Sequence, residues 1–315
     1  MRLAIINDYK KLSGSADWDQ LPDDIEIDTF HDRLTDPTAA VARLKPYDII
    51  VTGREETRFD RALIEKLPNL KLFVTHGRRN AALDMDAFKD RDITVCGTGY
   101  GFEMGTVELT WALLLSLAKN IPSEYAAVQR GDWGIDLPMG LTGKVLGVAG
   151  LGRLGAGVAR IGLAMKMDVI AWSQNLTQDR CEEIGATLVS KEDLLAKSDF
   201  LSIHLVLSER TRGLIGPSEF AQMKSSAYIL NTSRGPIIDE PSMIEALNNE
   251  VIAGAGLDVF DEEPLPKDHP LRAMPNVLIS PHLGGRTKEN FVSRYQDCVE
   301  NVLAWLKQEP VRVLT

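Results

Sequence analysis

Three polar residues stand where apolar strands should end. They are Arg234 in Asn231-Thr-Ser-Arg-Gly-Pro236, Glu263 in Leu257-Asp-Val-Phe-Asp-Glu-Glu-Pro264, and His282 in Ser280-Pro-His-Leu-Gly-Gly285. A histidine near its ordinary pKa gives or takes a proton around neutral pH. A carboxylate beside it favours the protonated ring and fixes its orientation. An arginine offers paired donors to a carboxylate or a polarised carbonyl oxygen. The set suits a carbonyl that accepts a hydride, because the resulting alkoxide needs a proton and the substrate needs an anchor. Taken singly, each has a plainer reading: a loop histidine in solvent, a carboxylate in solvent before a proline, an arginine holding loop carbonyls. Their shared position after strands of one sheet favours a common site.

Gly150-Leu-Gly152-Arg-Leu-Gly155 is a GxGxxG that follows the apolar run Val145–Ala149 and opens a helix. In that setting the first glycine makes the tight turn and the second lets backbone approach a pyrophosphate. The third lets helix and strand pack closely. The unpaired N–H groups at the helix start attract the phosphates. The acid that usually reads the ribose is missing at the end of the next strand, Val169-Ile-Ala-Trp-Ser-Gln-Asn175. Ser173 occupies its place. No carboxylate there repels a 2′-phosphate, yet no Lys or Arg follows at once, and Arg180 is the nearest in sequence. NAD and NADP both remain possible, with a slight balance toward NADP. Asn175 and Thr232 complete the candidate cofactor contacts.

Two alternating series must position these residues. In the first hundred residues, Leu3–Asn7, Asp48–Thr52, Leu70–Thr75 and Ile93–Cys96 read as buried strands, with helices at Pro37–Leu44 and Asp60–Leu67. Continuous apolar strands between helices imply a parallel sheet covered on both faces. Gly97-Thr-Gly-Tyr-Gly101 reads as a hinge or domain crossing. The helix after it, Thr106 to Asn120, is apolar on most of its circumference and calls for burial on several sides. Core packing and a second subunit are both open as covers. The second series predicts six strands: Val145–Ala149, Asp168–Trp172, Phe200–Leu205, Ala227–Asn231, Gly254–Val259 and Val277–Ser280. Helices are expected at Leu154–Met165, Pro241–Asn248 and from Arg286 to Lys307.

Composition narrows the class. The 315 residues are 44% hydrophobic and 25% charged, ordinary for a globular chain of about two domains. A formal charge of −10 and a pI near 5.1 argue against nucleic acid and anionic membranes as partners. Cys96, Cys181 and Cys298 are widely spaced, which fits free thiols in a cytoplasmic protein and offers no metal site. The N-terminus lacks a signal-peptide pattern, and no apolar run is long enough to span a bilayer.

With these motifs in order, the chain resembles the D-isomer-specific 2-hydroxyacid dehydrogenase family. Arg130-Gly-Asp-Trp133, Leu141-Thr-Gly-Lys-Val-Leu-Gly147, the GxGxxG, and the three segments carrying Arg234, Glu263 and His282 bear the resemblance along nearly the whole chain. It implies an α/β fold of two Rossmann-like domains with doubly wound parallel sheets. Residues 101–285 would form an NAD(P)-binding domain inserted into a substrate domain of residues 1–100 and 286–315. Arg234 would bind the substrate carboxylate and carbonyl. His282 would be the general acid in reduction, and Glu263 would pair with it and raise its pKa. Asp258 would hold the nicotinamide carboxamide, and the amides of Arg153 and Leu154 the pyrophosphate. A homodimer joined through the cofactor domain is implied, as is the short form lacking a C-terminal regulatory domain.

The sequence departs from the family in its substrate loop, Thr75-His-Gly-Arg-Arg-Asn80. The amides of Gly77 and Arg78 are expected to receive a carboxylate, and Arg78 and Arg79 to offer a second anionic contact. Arg286 adds charge nearby. His204, on a strand end, reads either as a nicotinamide neighbour or as a satisfied core histidine. The expected reaction is reduction of a small 2-keto acid, of the glyoxylate, hydroxypyruvate or phosphohydroxypyruvate class. The alternative is a dinucleotide-sensing, corepressor-like binding protein with little turnover.

Overall fold

The computed structural model describes residues 1–54, 56–99 and 104–314. The chain divides into two compact units, Met1–Phe102 with Thr287–Thr315, and Glu103–Arg286. Of the expected hinge, Tyr100 and Gly101 lie outside the described residues.

The first unit runs β1 (Arg2–Ile6), β2 (Glu26–Thr29), α1 (Pro37–Leu44), β3 (Ile49–Thr52), α2 (Arg61–Ile64), β4 (Leu72–Thr75), α3 (Met85–Asp90) and β5 (Thr94–Gly97). The strands form one parallel sheet in the order β2-β1-β3-β4-β5. Every residue of β3 and β4 is buried, which is why these strands read as unbroken apolar runs. Asp36, Asp60 and Asp84 start the three helices, each side chain accepting the N–H three residues on. Such caps satisfy a helix's orphan donors. The edge strand β2 is an addition to the sequence reading. Its Glu-Ile-Asp-Thr is only half-buried and carries no apolar run.

The second unit runs α4 (Met104–Ala118), α5 (Ile121–Gln129), β6 (Val145–Ala149), α6 (Arg153–Ala164), β7 (Asp168–Trp172), α7 (Gln178–Ile184), β8 (Thr187–Leu188), α8 (Lys191–Lys197), β9 (Phe200–Ile203), α9 (Pro217–Phe220), β10 (Tyr228–Asn231), α10 (Glu240–Asn248), β11 (Gly254–Leu257) and β12 (Val277–Ile279). Its parallel sheet has seven strands, not the expected six, in the order β12-β11-β10-β9-β6-β7-β8. The added strand, β8, is two residues long and pairs at the edge with β7. The order reverses at β6, between β7 and β9, which makes a ligand crevice at the strands' C-terminal ends.

Helix α4 is covered largely from within this unit. Val107, Trp111, Leu113 and Leu114 are buried with Leu146, Val148 and Val158, and Trp111 Nε1 donates to the Val158 carbonyl at 3.2 Å. Core packing therefore accounts for the apolar circumference. Exposed apolar residues instead follow it, at Ile121, Tyr125, Val128, Trp133, Ile135 and Leu137. The chain then returns to the first unit in α11 (Lys288–Leu306), which buries Tyr295, Cys298, Val299 and Val302 with Leu3, Ile5, Leu72 and Val74. No helix among the described residues is long and apolar enough to cross a membrane.

Candidate active site

The glycine turn lies at the switch point. Gly150 has φ +98°, a conformation that favours glycine, and a Cβ there would meet the His204 carbonyl oxygen at 2.6 Å. Its N–H donates to the Trp172 carbonyl at 2.8 Å, tying the turn to the end of β7. A Cβ on Gly155 would overlap the Gly150 carbonyl. Gly152 differs: it precedes α6, and a Cβ there would meet nothing within 4 Å. Arg153 and Leu154 begin the helix, where backbone N–H groups lack intrahelical acceptors. A close-packed turn with open space over its middle glycine fits a dinucleotide pyrophosphate.

At the end of β7, the Leu176 N–H closes a turn on the Ser173 carbonyl at 3.1 Å. Ser173 is half-buried and Asn175 exposed. Arg180 reaches back to the glycine turn, its Nε donating to the Leu151 carbonyl at 3.3 Å, and pairs with Glu183 at 2.6 Å. Arg210, which the sequence reading did not single out, donates from Nη1 to Gln174 Oε1 at 3.1 Å.

Glu263 and His282 meet directly: His282 Nδ1 lies 2.5 Å from Glu263 Oε2. The other carboxylate oxygen accepts the Phe260 N–H at 3.1 Å. Burial pushes the Glu263 carboxyl up, but the His282 bond and charge, the Phe260 N–H and the Arg234 charge outweigh it and hold it below its ordinary range. The Arg234 charge therefore acts at the same pair. Its guanidinium bonds the Ser233 carbonyl at 2.6 Å, and Asn231 Nδ2 donates to the Arg234 carbonyl at 2.9 Å, which braces the loop.

Buried Asp258 builds the histidine loop. Its carbonyl accepts the His282 N–H, Oδ1 accepts the Ser280 hydroxyl and the Leu283 N–H, and Oδ2 accepts the Gly284 N–H. These bonds hold His282 at φ +54°. Thr232 is buried with its hydroxyl 2.8 Å from that of Thr110 on α4. His204 Nε2 pairs with the Ser202 hydroxyl at 2.8 Å, and burial pushes the ring's pKa down to about 4.

In the first unit, the loop expected to receive a carboxylate at the Gly77 and Arg78 amides follows β4. The Gly77 N–H donates to Thr98 Oγ1 at 2.7 Å, and Gly77 has φ +82°. Asn80 staples the loop, its Nδ2 donating to Thr75 Oγ1 and its Oδ1 accepting the Ala82 N–H. Arg78 and Arg79 are exposed at its tip. Two further groups sit in this unit. Arg54 runs along Gly77, its Cδ 3.5 Å from where a Cβ would be. His76 is buried between Phe291 and Tyr295, with Nε2 unpartnered among the described residues.

A doubly wound sheet with this glycine turn, and a His–Glu pair with an arginine at the same strand ends, defines an NAD(P)-linked dehydrogenase. The comparisons identify its kind. Residues 111–284 match the family described as "D-isomer specific 2-hydroxyacid dehydrogenase, NAD binding domain". A glyoxylate reductase of Aeropyrum pernix is 36% identical over 278 residues, 82% of this chain and 83% of the relative. A D-3-phosphoglycerate dehydrogenase of Archaeoglobus fulgidus is 35% identical over 274 residues, and there the match spans 86% of this chain but about half, 52%, of the relative. The solved structure of a phosphoglycerate oxidoreductase from Vibrio cholerae, 30% identical, superposes with a TM-score of 0.86 over 98% of this chain and 99% of that one. The chain belongs to the D-isomer specific 2-hydroxyacid dehydrogenase family and is an NAD(P)-dependent enzyme acting on 2-keto and 2-hydroxy acids.

Proposed function

We propose that the protein reduces a small 2-keto acid to the D-2-hydroxy acid, with NADPH preferred over NADH. The observation that carries the reading is the 2.5 Å His282–Glu263 pair beside Arg234, at the strand ends that also carry the glycine turn. The nicotinamide, when bound, supplies the hydride. Arg234 is proposed to hold the substrate carboxylate and polarise its carbonyl oxygen. His282 Nε2 delivers the proton to that oxygen, while Nδ1 stays on Glu263. Glu263, ionised above its lowered pKa, keeps the ring oriented and balances its charge. Gly150, Gly152 and Gly155 shape the pyrophosphate seat, with the Arg153 and Leu154 amides as donors. Ser173 and Asn175 would border the adenosine ribose, and Thr232 and Asp258 the nicotinamide.

Exposed Arg78 and Arg79 are proposed as a second cationic contact, favouring keto acids with a distal polar or anionic group, such as hydroxypyruvate or phosphohydroxypyruvate. A homodimer formed through the exposed apolar residues of α5 and the segment after it completes the reading, as does a reducing, cytoplasmic location for the three buried free thiols. The test is optical: NADPH and NADH oxidation against glyoxylate, hydroxypyruvate, phosphohydroxypyruvate and pyruvate, with wild type and His282→Ala. Turnover that falls about a hundredfold or more in the variant, with cofactor affinity kept, is expected. Equal rates would remove His282 from the mechanism. Silence of the wild type on every keto acid, with tight dinucleotide binding, would favour the sensing role.

A further inference from the structure

The end of β7 lacks the acid that would bind ribose hydroxyls, but absence of a repulsive group is not a phosphate site. A 2′-phosphate needs a cation and donors placed for it. The turn Ser173-Gln-Asn-Leu176 supplies donors: the backbone N–H groups of Gln174 and Asn175 bond no protein acceptor among the described residues, and Ser173 adds a hydroxyl. Two arginines reach this turn or its surroundings, and their surroundings differ. Arg180 is already engaged by the Leu151 carbonyl and by Glu183, so its charge is paired and it braces the glycine turn. Arg210 arrives from the loop after β9, 36 residues beyond Gln174, and its Nη1 docks on the neutral Gln174 side chain at 3.1 Å. Among the described residues it pairs with no carboxylate, so its charge is uncompensated where the adenosine ribose would lie.

We propose that Arg210, positioned by Gln174, is the specificity-determining cation for a dinucleotide bearing a 2′-phosphate. The proposal rests on the NADPH preference and names the residue that creates it. A guanidinium in this place presents planar paired donors to phosphate oxygens, which a lysine would not match. The site is exposed, so its contribution is also salt-dependent.

Calorimetric titration of the full-length protein with NADPH, NADH, 2′,5′-ADP and 5′-AMP tests this without turnover. Wild type should bind NADPH about tenfold or more tighter than NADH, and 2′,5′-ADP tighter than 5′-AMP. Arg210→Gln should lose about tenfold for the two 2′-phosphorylated ligands and stay within about twofold for the other two. Arg210→Lys should recover part of the loss. Raising the salt should erode the preference in wild type and leave the Gln variant nearly flat. Equal weakening of all four ligands would make Arg210 structural and overturn the proposal. A wild type that prefers NADPH while Arg210→Gln keeps that preference would overturn the role of Arg210 and leave the cofactor reading standing. A wild type that binds NADH as tightly as NADPH would overturn both.

Discussion

His76 shows what burial does to a single titratable group. Its ring centroid lies 4.8 Å from that of Tyr295 and 6.1 Å from that of Phe291, and Nε2 has no partner among the described residues. Burial, aided by the Arg294 charge, pushes its pKa from 6.5 down to about 3. The unfolded chain therefore binds this proton more readily, and stability falls as the pH drops from 6.5 toward 3. At pH 5 the loss from this one residue is about 2 kcal/mol. Arg294 is itself constrained: burial and the Arg54 charge hold its guanidinium below the ordinary value, and its Nε is unpartnered among the described residues. Replacing His76 with Gln removes the titration and keeps the volume. Urea unfolding of His76→Gln between pH 7 and 5 should show a stability loss smaller than that of wild type by about 2 kcal/mol. Parallel curves for the two proteins would show that the ring is not the acid-sensitive group.

At the scale of elements, the proposed catalytic groups depend on loops that only fit together without side chains at certain points. Gly235, after Arg234, packs on the segment that leads to Glu263, and a Cβ on it would overlap the Phe260 carbonyl. Glu240, at the start of α10, accepts the Asp261 N–H at 3.5 Å and the His269 ring lies 3.0 Å from its other oxygen. Gly235→Ala must push the Arg234 loop away from the Glu263 loop. We expect a stability loss of about 2 kcal/mol or more, seen in thermal unfolding, and a turnover loss larger than the rise in KM. A variant that matches wild type in both would show the loops to be independent. These contacts also mark what the sequence could and could not reveal. Strands buried on both faces, such as β3 and β4, are legible as continuous apolar runs. Edge strands β2 and β8 are not, because neither carries a run long enough to distinguish it from loop. The meeting of Glu263 with His282 was accessible through motif order. Arg210 was not, because nothing local in the sequence says that a loop 36 residues away folds onto Gln174. Nor was the left-handed backbone of His282, which is imposed by Asp258 through bonds spanning more than twenty residues.

For the molecule as a whole, the question is what covers the apolar surface that remains. Helix α4 is satisfied by its own unit, but Trp133 is 89% exposed and Leu137 92%, with Ile121, Tyr125 and Val128 at helical spacing on α5 before them. Scattered exposed apolar side chains need no explanation, whereas a run of large ones along one helix and its following segment marks an interaction surface. Fully burying one such side chain is worth about 1.5–3 kcal/mol, so a few of them supply much of the drive to associate. A second copy of the chain is the proposed cover, and charge placed in this run should oppose it. Trp133→Glu combined with Leu137→Glu should shift a dimer to monomer in sedimentation velocity at micromolar concentration. Both residues lie outside the buried core, so the far-ultraviolet circular dichroism should be unchanged. A wild type that sediments as a monomer, or a double variant that stays dimeric, would place the interface elsewhere or remove it.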